Sequence, residues 1–521
     1  MCDGSGEREG TTLFGDHPET THLSDAGDVQ FLDTTLRDGE QAPGVSLTPD
    51  EKARIARRLD DADVAFIEAG SACTGPGERE TISRVAELDL DATVTSFCRG
   101  LQRDIDLAME CGVDGINLVV PASDKHVTEK VGTTHEENVQ NTRELVEYAR
   151  SHDLWVEVIG EDGSRADLDY LEELLGAALE AGADRICWAD TVGHATPDEA
   201  VEAVSRLSDL GPVSVHTHDD LGLAVMNALT GVAAGADVVH GTINGIGERA
   251  GNVAIEEVAI ALDHGYGVET LELTQVYDLA ELVASATGIP LPPNKAVVGQ
   301  NTFTHESGIH TDGTLKDDSM YEPYPPEKVG RERRLALGKH AGRAGVEAAL
   351  AEHDLEVDDD DLNAIVARVK EIGDRGKRVT DADLLAIAED VTGRERERRV
   401  EIVELTTVAG GRKPTATVTL EVDGEERTEA EVGSGPVDAA INAVQTALSH
   451  SFDTRLESYH VDAITGGTDA VVTVEVEMSR GDQTVTVSAS DSDITRASVE
   501  AMVDAMDRLV ADEPDAVIAD D

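Results

Sequence analysis

Two histidines stand one residue apart in the stretch HTHDDLG (216–222), directly after the apolar and β-branched residues GPVSV (211–215). Such a run favours a β-strand, on which His216 and His218 would point to the same face. Paired imidazoles are good metal ligands, but a hydrogen-bonded polar strand end would look the same in the sequence. The spacing alone leaves both interpretations open.

Other polar side chains follow the ends of neighbouring strand-like segments. The stretch DTTLRDGEQ (33–41) places Arg37 and Asp38 after the first segment, and NGIGERAGN (244–252) places Asn252 after the last. Two imidazoles, a carboxylate and an amide oxygen make a mixed nitrogen and oxygen set that suits Mg²⁺, Mn²⁺ or Zn²⁺ in an open, catalytic site. We therefore predict a divalent metal site formed by Asp38, His216, His218 and Asn252.

Further charged residues occupy similar positions. Arg37 is planar and permanently charged, so it can stabilise an oxygen that gains negative charge, although a plain salt bridge is the alternative. Glu68 and Glu161 end strands that look buried, where a carboxylate needs a partner or a role. We expect structural pairing for Glu68. His126 and Lys130 are expected on a loop, and we assign them no role.

A regular alternation of strand and helix patterns begins at residue 29. Short β-branched runs alternate with alanine- and glutamate-rich amphipathic segments, two of which (49–62 and 197–210) begin with Pro-Asp-Glu, a good helix start. Eight such units in roughly 250 residues predict an α/β fold of the TIM (β/α)₈ barrel type. The eight predicted strands are VQFLDTT (29–35), VAFIEAG (64–70), ATVTSF (92–97), DGINLVVP (114–121), WVEVIG (155–160), RICWAD (185–190), VSVHTH (213–218) and DVVHGTI (237–243).

The alternation stops after about residue 285. A proline-marked segment (289–299) is followed by helical patterns at 360–374 and 381–393, and from residue 400 by three strands and a helix, twice over. This order predicts a helical linker region and then a small C-terminal α+β domain. The predicted divisions are a polar tail (1–28), the catalytic barrel (29–285), the linker region (286–399) and a regulatory domain (400–521).

The charge balance is extreme. There are 106 Asp and Glu residues against 42 Lys and Arg, which gives a formal net charge of −64. Such a surface would repel nucleic acid, and molar salt would screen its self-repulsion, so we predict a halophile's cytoplasmic protein. The five cysteines have no C-x-x-C spacing, which favours reduced thiols. The sequence contains no apolar run of about 20 residues, so membrane insertion is not expected.

The motifs DTTLRDGEQ, EDGSR, ADTVGHATP, HTHDDLGLAVMNAL, NGIGERAGN and HESGIH resemble those of the 2-isopropylmalate synthase family. Citramalate and homocitrate synthases belong to the same group, and hydroxymethylglutaryl-CoA lyases are more distant. The resemblance runs from about residue 29 to the end of the chain. It implies a Claisen-type condensation in which the enolate of acetyl-CoA attacks a metal-held 2-oxo acid and CoA is released by hydrolysis.

The resemblance also implies roles for individual residues. Asp38, His216 and His218 would bind the metal with Asn252 close by, and Arg37 would stabilise the developing charge. Glu161, His310 and Tyr321 match the catalytic set of the family. His310 is the candidate base, with help from Glu161. Because His310 and Tyr321 follow the barrel, they would have to reach the mouth of the barrel, and in this family a domain-exchanged homodimer brings such residues there.

The choice of 2-oxo acid is less clear. Ile159 stands where isopropylmalate synthases tend to have a smaller residue, and with Leu101 it would favour pyruvate. Thr191, in ADTVGH, completes the predicted substrate site. Since isopropylmalate synthases are the commoner members with a full regulatory domain, we predict a 2-isopropylmalate synthase of leucine biosynthesis that acts on 2-oxoisovalerate. An (R)-citramalate synthase is the alternative. We see no extra basic group for a second substrate carboxylate.

Two other classes are weaker alternatives. A lyase of the related group would carry a cysteine in the glycine-rich loop, and GIGERAG has none. A non-catalytic amino-acid sensor would have no reason to keep the whole set of catalytic residues.

The C-terminal domain is predicted to bind a branched-chain amino acid, either leucine or isoleucine, at its two strand-to-helix turns. A purely dimerising domain is the alternative. The predicted effector residues are Gly433, Gly435, Asp438, Ser490, Asp491 and Asp493.

Overall fold

The chain forms two compact units. The computed structural model describes Leu23 and residues 28–314, 316–317, 320–353, 355–374, 379–393, 398–410, 413–448, 454–463, 472–481 and 483–510. The first unit comprises Met1–Phe303 and Pro323–Arg333, and the second comprises Thr304–Glu322 and Arg334–Asp521. The predicted tail (1–28) lies outside the described residues except for Leu23 and Asp28. Leu23 is buried in the core of the first unit.

Eight parallel strands close into a barrel in the first unit, and the last strand pairs with the first. The predicted TIM barrel is therefore confirmed. The strands are β1 (Gln30–Asp33), β2 (Phe66–Glu68), β3 (Thr93–Arg99), β4 (Gly115–Pro121), β5 (Trp155–Glu161), β6 (Arg185–Asp190), β7 (Val213–Thr217) and β8 (Val238–Gly241).

Helices follow each strand. The α-helices of this unit are α1 (Pro49–Asp61), α2 (Pro76–Ala86), α3 (Gln102–Glu110), α4 (His135–Arg150), α5 (Leu168–Glu180), α6 (Pro197–Ser208), α7 (Ala224–Ala233), α8 (Ile255–Ile260) and α9 (Val276–Thr287). The described part of this unit also contains the π-helices His126–Val131 and Ala261–Tyr266 and the 3₁₀ turns Gly39–Gln41, Gly163–Arg165, Ile243–Gly245, Leu273–Gln275 and Pro326–Val329.

Local sequence explains where the helices begin. At α1 the side chain of Thr48 accepts a hydrogen bond from the Glu51 amide, and the Glu51 carboxylate accepts one from the Thr48 amide, which is a capping box. The proline at the first turn costs nothing, because that amide has no partner inside a helix. The same Thr-Pro-Asp-Glu order begins α6. The Pro-Asp-Glu starts predicted from the sequence are therefore real helix starts.

A charged cluster is buried inside the barrel. The Glu157 carboxylate on β5 accepts hydrogen bonds from Arg185 Nε (2.7 Å) and from the Ser214 hydroxyl, and His240 Nε2 lies 3.1 Å from it. Burial alone would raise the pKa of Glu157, but the charges of His240 and Arg185 outweigh it and hold that pKa well below its ordinary value. The Arg185 guanidinium also lies over the ring of Phe66. These contacts of Glu157 with Arg185, Ser214 and His240 link β5 to β6, β7 and β8.

Glu157→Gln is expected to lower the free energy of unfolding by about 3–5 kcal/mol, because it leaves a buried guanidinium without its carboxylate. Urea unfolding followed by circular dichroism measures this change. The control is Arg206→Ala, which breaks an exposed ion pair with Glu172 and should cost at most about 1 kcal/mol. Equal losses in the two variants would contradict the stabilising role of the buried cluster.

The first unit extends beyond the predicted barrel boundary at residue 285. Val297, Val298 and Phe303 are buried in the barrel core, and Val329 returns to it from the second segment of this unit. Apolar burial therefore places the division after Phe303. The proline-marked segment is packed on the barrel rather than being a free linker.

The described residues of the second unit form a short strand pair, four α-helices and a C-terminal domain. The strand pair is β9 (Thr304–His305) and β10 (Arg334–Leu335), and the helices are α10 (Gly308–Thr314), α11 (Arg343–Glu352), α12 (Asp359–Asp374) and α13 (Asp381–Thr392). The C-terminal elements are β11 (Val400–Val408), β12 (Thr415–Val422), β13 (Glu425–Val432), α14 (Pro436–Leu448), β14 (Arg455–Ala463), β15 (Val472–Arg480), β16 (Gln483–Asp491) and α15 (Ile494–Val510).

The C-terminal domain has the predicted order of three strands and a helix, repeated once. Each repeat forms an antiparallel three-stranded sheet. Alternate residues of these sheets, such as Val418, Leu420 and Val476, are buried with the apolar faces of α14 and α15 in one core. Among the described residues, no helix combines the length and apolar character needed to cross a membrane.

Candidate active site

A cavity of about 260 Å³ lies at the carboxyl ends of the barrel strands. TIM-barrel enzymes place their chemistry at this end because the loops after all eight strands meet there. The lining residues come from the ends of, or the loops after, seven strands: Arg37, Asp38, Gln41, Phe97, Val119, Ile159, Glu161, Ala189, Thr191, His216, His218, Glu248 and Arg249. Seven of the residues predicted from the sequence are among them.

Asp38, His216 and His218 converge at this mouth. His216 Nε2 lies 3.5 Å and His218 Nε2 lies 4.0 Å from the same Asp38 oxygen, Oδ2. One ligand atom from each residue lies within 4.8 Å of the other two, close enough to hold one metal ion. His218 Nδ1 is 3.2 Å from the Asp190 carbonyl oxygen, to which it can donate. That bond leaves the lone pair on Nε2, which faces Asp38, free for a metal.

The ionisation of this cluster suits a metal site. Burial lowers the pKa of His216 well below its ordinary value, and the nearby His218 adds to the effect, so His216 is neutral. Burial would raise the pKa of Asp38, but the charge of the adjacent Arg37 leads the effects that outweigh it and lower that pKa to about 2. An ionised Asp38 and a neutral His216 are the forms in which these two residues bind divalent cations.

Asn252 lies next to the cluster and has an unused oxygen. Its backbone forms an isolated bridge with His218, and its side-chain amide donates to the Ile246 carbonyl at 3.0 Å. Its Oδ1 is buried and has no hydrogen-bond partner. A buried oxygen without a partner is costly, and a cation would satisfy it. Gly247 is required here, since a Cβ would come within 2.4 Å of the Asn252 amide nitrogen.

Arg37 is held by two carboxylates. Its Nε donates to Glu68 at 2.5 Å and its Nη1 donates to Asp38 at 2.9 Å, while its guanidinium lies 4.7 Å from the centre of the Phe97 ring. Burial would lower the pKa of Arg37, but the charges of Glu68 and Asp38 outweigh it and raise that pKa. The structural pairing expected for Glu68 is present. Arg37 also forms the salt bridges that were considered as its alternative role, and these hold its guanidinium at the cavity.

One wall of the cavity is apolar. Ile159 on β5 packs with Cys187 and Ala189 on β6 and with Val119 on β4. Leu101, predicted to complete this wall, does not line the cavity, because it lies beyond the end of β3 at the start of α3 with its side chain 52% exposed. Phe97 and Val119 take the position expected for it.

Glu161 has two partners that the sequence interpretation left without a role. Lys130 Nζ lies 2.5 and 2.7 Å from the two Glu161 oxygens, and His126 Nδ1 lies 3.2 Å from one of them. Both residues lie on the π-helix His126–Val131 rather than on a loop. Single-turn π-helices occur often at functional sites, but no sequence signal predicted this one.

A basic group also lines the cavity, contrary to the sequence interpretation. Arg249 donates to both oxygens of Asp220 at 3.0 and 3.1 Å and to the Thr191 carbonyl at 2.9 Å. Its charge is therefore compensated by Asp220. The neighbouring Asp219 accepts a hydrogen bond from the Ala224 amide at the start of α7. Asp219 thus stabilises the beginning of α7.

His310 and Tyr321 lie in the second unit. Their ring centres are 4.4 Å apart, so the two candidate catalytic residues from outside the barrel lie together. Their action at the barrel mouth stays a prediction.

The predicted effector residues begin α14 and α15. Asp438 accepts hydrogen bonds from Ser434, while Asp491 and Asp493 accept from amides of the following turn. These bonds stabilise the turns, and an effector role for Gly433, Gly435, Asp438, Ser490, Asp491 and Asp493 stays a prediction.

Three family models match successive parts of this chain. The model of the HMGL-like family matches residues 28–283, that of the homocitrate synthase post-HMGL domain-like family matches 297–377, and that of the LeuA allosteric (dimerisation) domain matches 378–510. Among solved structures, the hydroxymethylglutaryl-CoA lyase from Pseudomonas aeruginosa is 20% identical, with a TM-score of 0.46, over 51% of this chain and 94% of that chain.

Curated relatives extend over nearly the whole chain. A Methanothermobacter thermautotrophicus protein named "Putative (R)-citramalate synthase CimA" is 50% identical over 93% of this chain and 98% of its own length. The chain belongs to the 2-isopropylmalate/homocitrate synthase family. The (R)-citramalate synthase CimA of Methanocaldococcus jannaschii is 47% identical over 92% of this chain and 99% of its own length.

Membership of the 2-isopropylmalate/homocitrate synthase family makes the chain an enzyme. Members catalyse an acetyl-CoA-dependent, metal-dependent condensation with a 2-oxo acid and serve amino-acid biosynthesis. The cluster of Asp38, His216 and His218 fits the metal that this reaction needs. The C-terminal part of the chain is the allosteric domain of the family.

Proposed function

We propose that the chain is an (R)-citramalate synthase, which condenses acetyl-CoA with pyruvate to give (R)-citramalate and CoA. Relatives that carry this name are 47–50% identical over more than nine-tenths of the chain. This evidence favours the alternative considered from the sequence over our first choice, a 2-isopropylmalate synthase of leucine biosynthesis. The proposed pathway is accordingly isoleucine biosynthesis, with isoleucine as the candidate effector.

The observation that carries the substrate choice is the apolar wall of the cavity. Ile159 and Val119 are branched side chains on adjacent strands, and Phe97 adds an aromatic ring. In a cavity of about 260 Å³, they leave space for the methyl group of pyruvate and oppose the isopropyl group of 2-oxoisovalerate. Arg249 in the cavity wall is paired with Asp220, and pyruvate, which has a single carboxylate, needs no second cation.

The residues would divide the chemistry as follows. The methyl carbon of acetyl-CoA loses a proton, its electron pair forms the bond to C2 of pyruvate, and the ketone oxygen gains charge and then a proton. Water afterwards cleaves the thioester and releases CoA. Arg37 would stabilise the charged oxygen, since its guanidinium is already oriented by Glu68 and Asp38. A divalent ion held by Asp38, His216, His218 and Asn252 would supply Lewis acidity at the ketone.

The proton transfer would involve groups from both units. His310 is proposed to accept the methyl proton, with Tyr321 beside it. Glu161 is held by Lys130 and His126 and would orient the acceptor, directly or through water. Thr191 would contribute to binding of the pyruvate carboxylate. Mg²⁺, Mn²⁺ and Zn²⁺ remain the candidate metals, and a homodimer remains the proposed assembly.

A CoA-release assay with a divalent metal and high salt tests the substrate. The kcat/KM for pyruvate should exceed that for 2-oxoisovalerate by about 10–200-fold, because rejecting extra methyl groups in an apolar pocket is worth about 1–3 kcal/mol. 2-Oxoglutarate should not react. A preference for 2-oxoisovalerate would restore the 2-isopropylmalate synthase interpretation, and absence of CoA release with every oxo acid would support the sensor.

Ile159→Ala should shift this preference. Removing three carbons from the wall should raise kcat/KM for 2-oxoisovalerate by about tenfold and lower that for pyruvate, since one buried CH₂ is worth about 0.8 kcal/mol. The matched control is Leu101→Ala, which removes an apolar side chain outside the cavity and should leave the ratio unchanged. If the ratio moved in Leu101→Ala instead of Ile159→Ala, the assignment of the wall would be wrong.

A further inference from the structure

The position of Tyr321 beside His310 depends on local contacts within the second unit. His310 lies on α10, and the Tyr321 ring lies next to it, with the two ring centres 4.4 Å apart and the ring planes tilted by 44°. Both side chains are exposed, so burial in a core does not hold the tyrosine ring in this place. A contact on α10 itself fixes the ring relative to the imidazole.

Gly313 provides this contact. It lies three residues after His310, so the two residues share one face of α10. A Cβ atom at Gly313 would come within 2.4 Å of Tyr321 Cε2 and 3.0 Å of Tyr321 Cδ2. Non-bonded carbon atoms prefer separations of about 3.5–4.0 Å. The Tyr321 ring therefore occupies the space that any other residue at this position would fill with its side chain.

The chain is anchored on both sides of Tyr321. Its neighbour Glu322 is buried, and Glu322 Oε1 lies 3.4 Å from His305 Nε2 on β9, in the same HESGIH motif that contains the candidate base. On the other side, the Asp317 amide donates to the Gly313 carbonyl at 3.0 Å. The backbone is thus held close to α10, and the open space at Gly313 decides where the ring lies.

We infer that Gly313 is a positioning residue, which seats the Tyr321 ring beside His310 so that the two side chains act together on the acetyl group. This inference rests on the proposed function, in which His310 accepts the methyl proton of acetyl-CoA. Gly313 would act without touching the substrate, because the ring covers it. Placement of this kind matters for the rate, since a shift of about 1 Å in a reacting group can cost about 10²-fold.

Gly313→Ala tests the inference because activity and stability should respond differently. The exposed ring can move aside, and alanine favours a helix more than glycine does, so Tm should stay the same or rise. The kcat for CoA release from pyruvate should fall by about 10–100-fold, while the KM for pyruvate changes less than about twofold. A lower Tm with full kcat would show a purely structural role and overturn the inference.

Gly77→Ala is the matched control, since Gly77 lies on α2 where a Cβ atom would meet open space. It should leave kcat unchanged. A double-mutant cycle with Tyr321→Ala shows whether Gly313 acts through the ring. In the Tyr321→Ala background, Gly313→Ala should lower kcat less than about twofold further, because no ring is left to displace. An equal loss of kcat in both backgrounds would contradict the assigned role.

A measurement without turnover separates this inference from the proposed function. Incorporation of 3-fluorotyrosine labels the seven tyrosines, and Tyr321→Phe identifies the ¹⁹F resonance of Tyr321. Gly313→Ala and His310→Ala should each shift this resonance, whereas Gly77→Ala should not. An unmoved resonance in Gly313→Ala would overturn the inference. If the shift is present but the unsubstituted chain releases no CoA from pyruvate, the proposed function fails and the placement of the ring by Gly313 stands.

Discussion

His218→Ala is expected to lower kcat for CoA release by about 10³-fold and to weaken metal binding by at least about 10–100-fold, the loss usual for a residue that supports a metal site. The reason is geometric: His218 Nε2 faces the Asp38 oxygen that His216 also faces, and its Nδ1 is held by the Asp190 carbonyl. Metal content after gel filtration and titration with Mn²⁺ measure binding independently of activity.

The matched control is His194→Ala, because His194 follows β6 at the same mouth but is exposed and outside the ligand cluster. It should keep its metal and its activity. A chelator should abolish the activity of the unsubstituted chain and of this control alike. If His218→Ala retained full activity in the presence of a chelator, the metal assignment would be wrong.

Arg37→Lys should lower kcat by about 10²–10³-fold with a smaller change in the KM for pyruvate, because the lost contact serves the charge that develops during the reaction. A lysine keeps the charge but not the planar fork that contacts Glu68 and Asp38 at once and lies over Phe97. Steady-state kinetics with each substrate varied in turn separates kcat from KM.

Arg99→Lys is the comparison for this prediction, since Arg99 forms a similar two-point pair with Asp104 at the end of β3 but is exposed. It should leave kcat within about twofold, as expected for a surface ion pair. A loss in Arg37→Lys that appeared only as a raised KM would mean that Arg37 binds the ground state rather than the charge in the transition state.

The barrel could be predicted from the sequence because strand and helix patterns have different periods. Each predicted strand overlaps an observed one, and the helix starts at Pro49 and Pro197 carry their capping threonines in the sequence. The end of the barrel unit could not be placed in this way. Val297, Val298 and Phe303 pack into the barrel core, and a few apolar residues without periodicity do not show which unit they join.

The site was predictable where its residues directly follow strands. Asp38, His216, His218 and Asn252 could be grouped because parallel strands in a barrel all end at one mouth. Residues that approach the site by other routes were missed. His126 and Lys130 contact Glu161 from a π-helix, and Arg249 lines the cavity from a loop, where its own φ is +57°. Leu101 was wrongly included because sequence position says little about which side of a helix start faces the cavity.

The buried charges inside the barrel show a related limit. Glu157, Arg185 and His240 lie on strands that the sequence identified, yet their pairing depends on which strands are neighbours and how they are staggered. The number of strands can be predicted from the periodicity of the sequence. The stagger between neighbouring strands, in contrast, is set by closure of the whole barrel.

Closure also has a consequence for the order of folding. β1 pairs with β8, and the Thr34 hydroxyl after β1 donates to the Gly241 carbonyl 207 positions away along the chain. Contacts between such distant positions carry the largest entropic cost in the search for the native state. Asp38 lies shortly after β1 and Asn252 in the loop between β8 and α8, so the proposed ligand set is complete only once this seam has formed. Tight metal binding during refolding would thus report closure of the barrel. The circular dichroism signal of the helices, which needs only local βα units, would recover earlier.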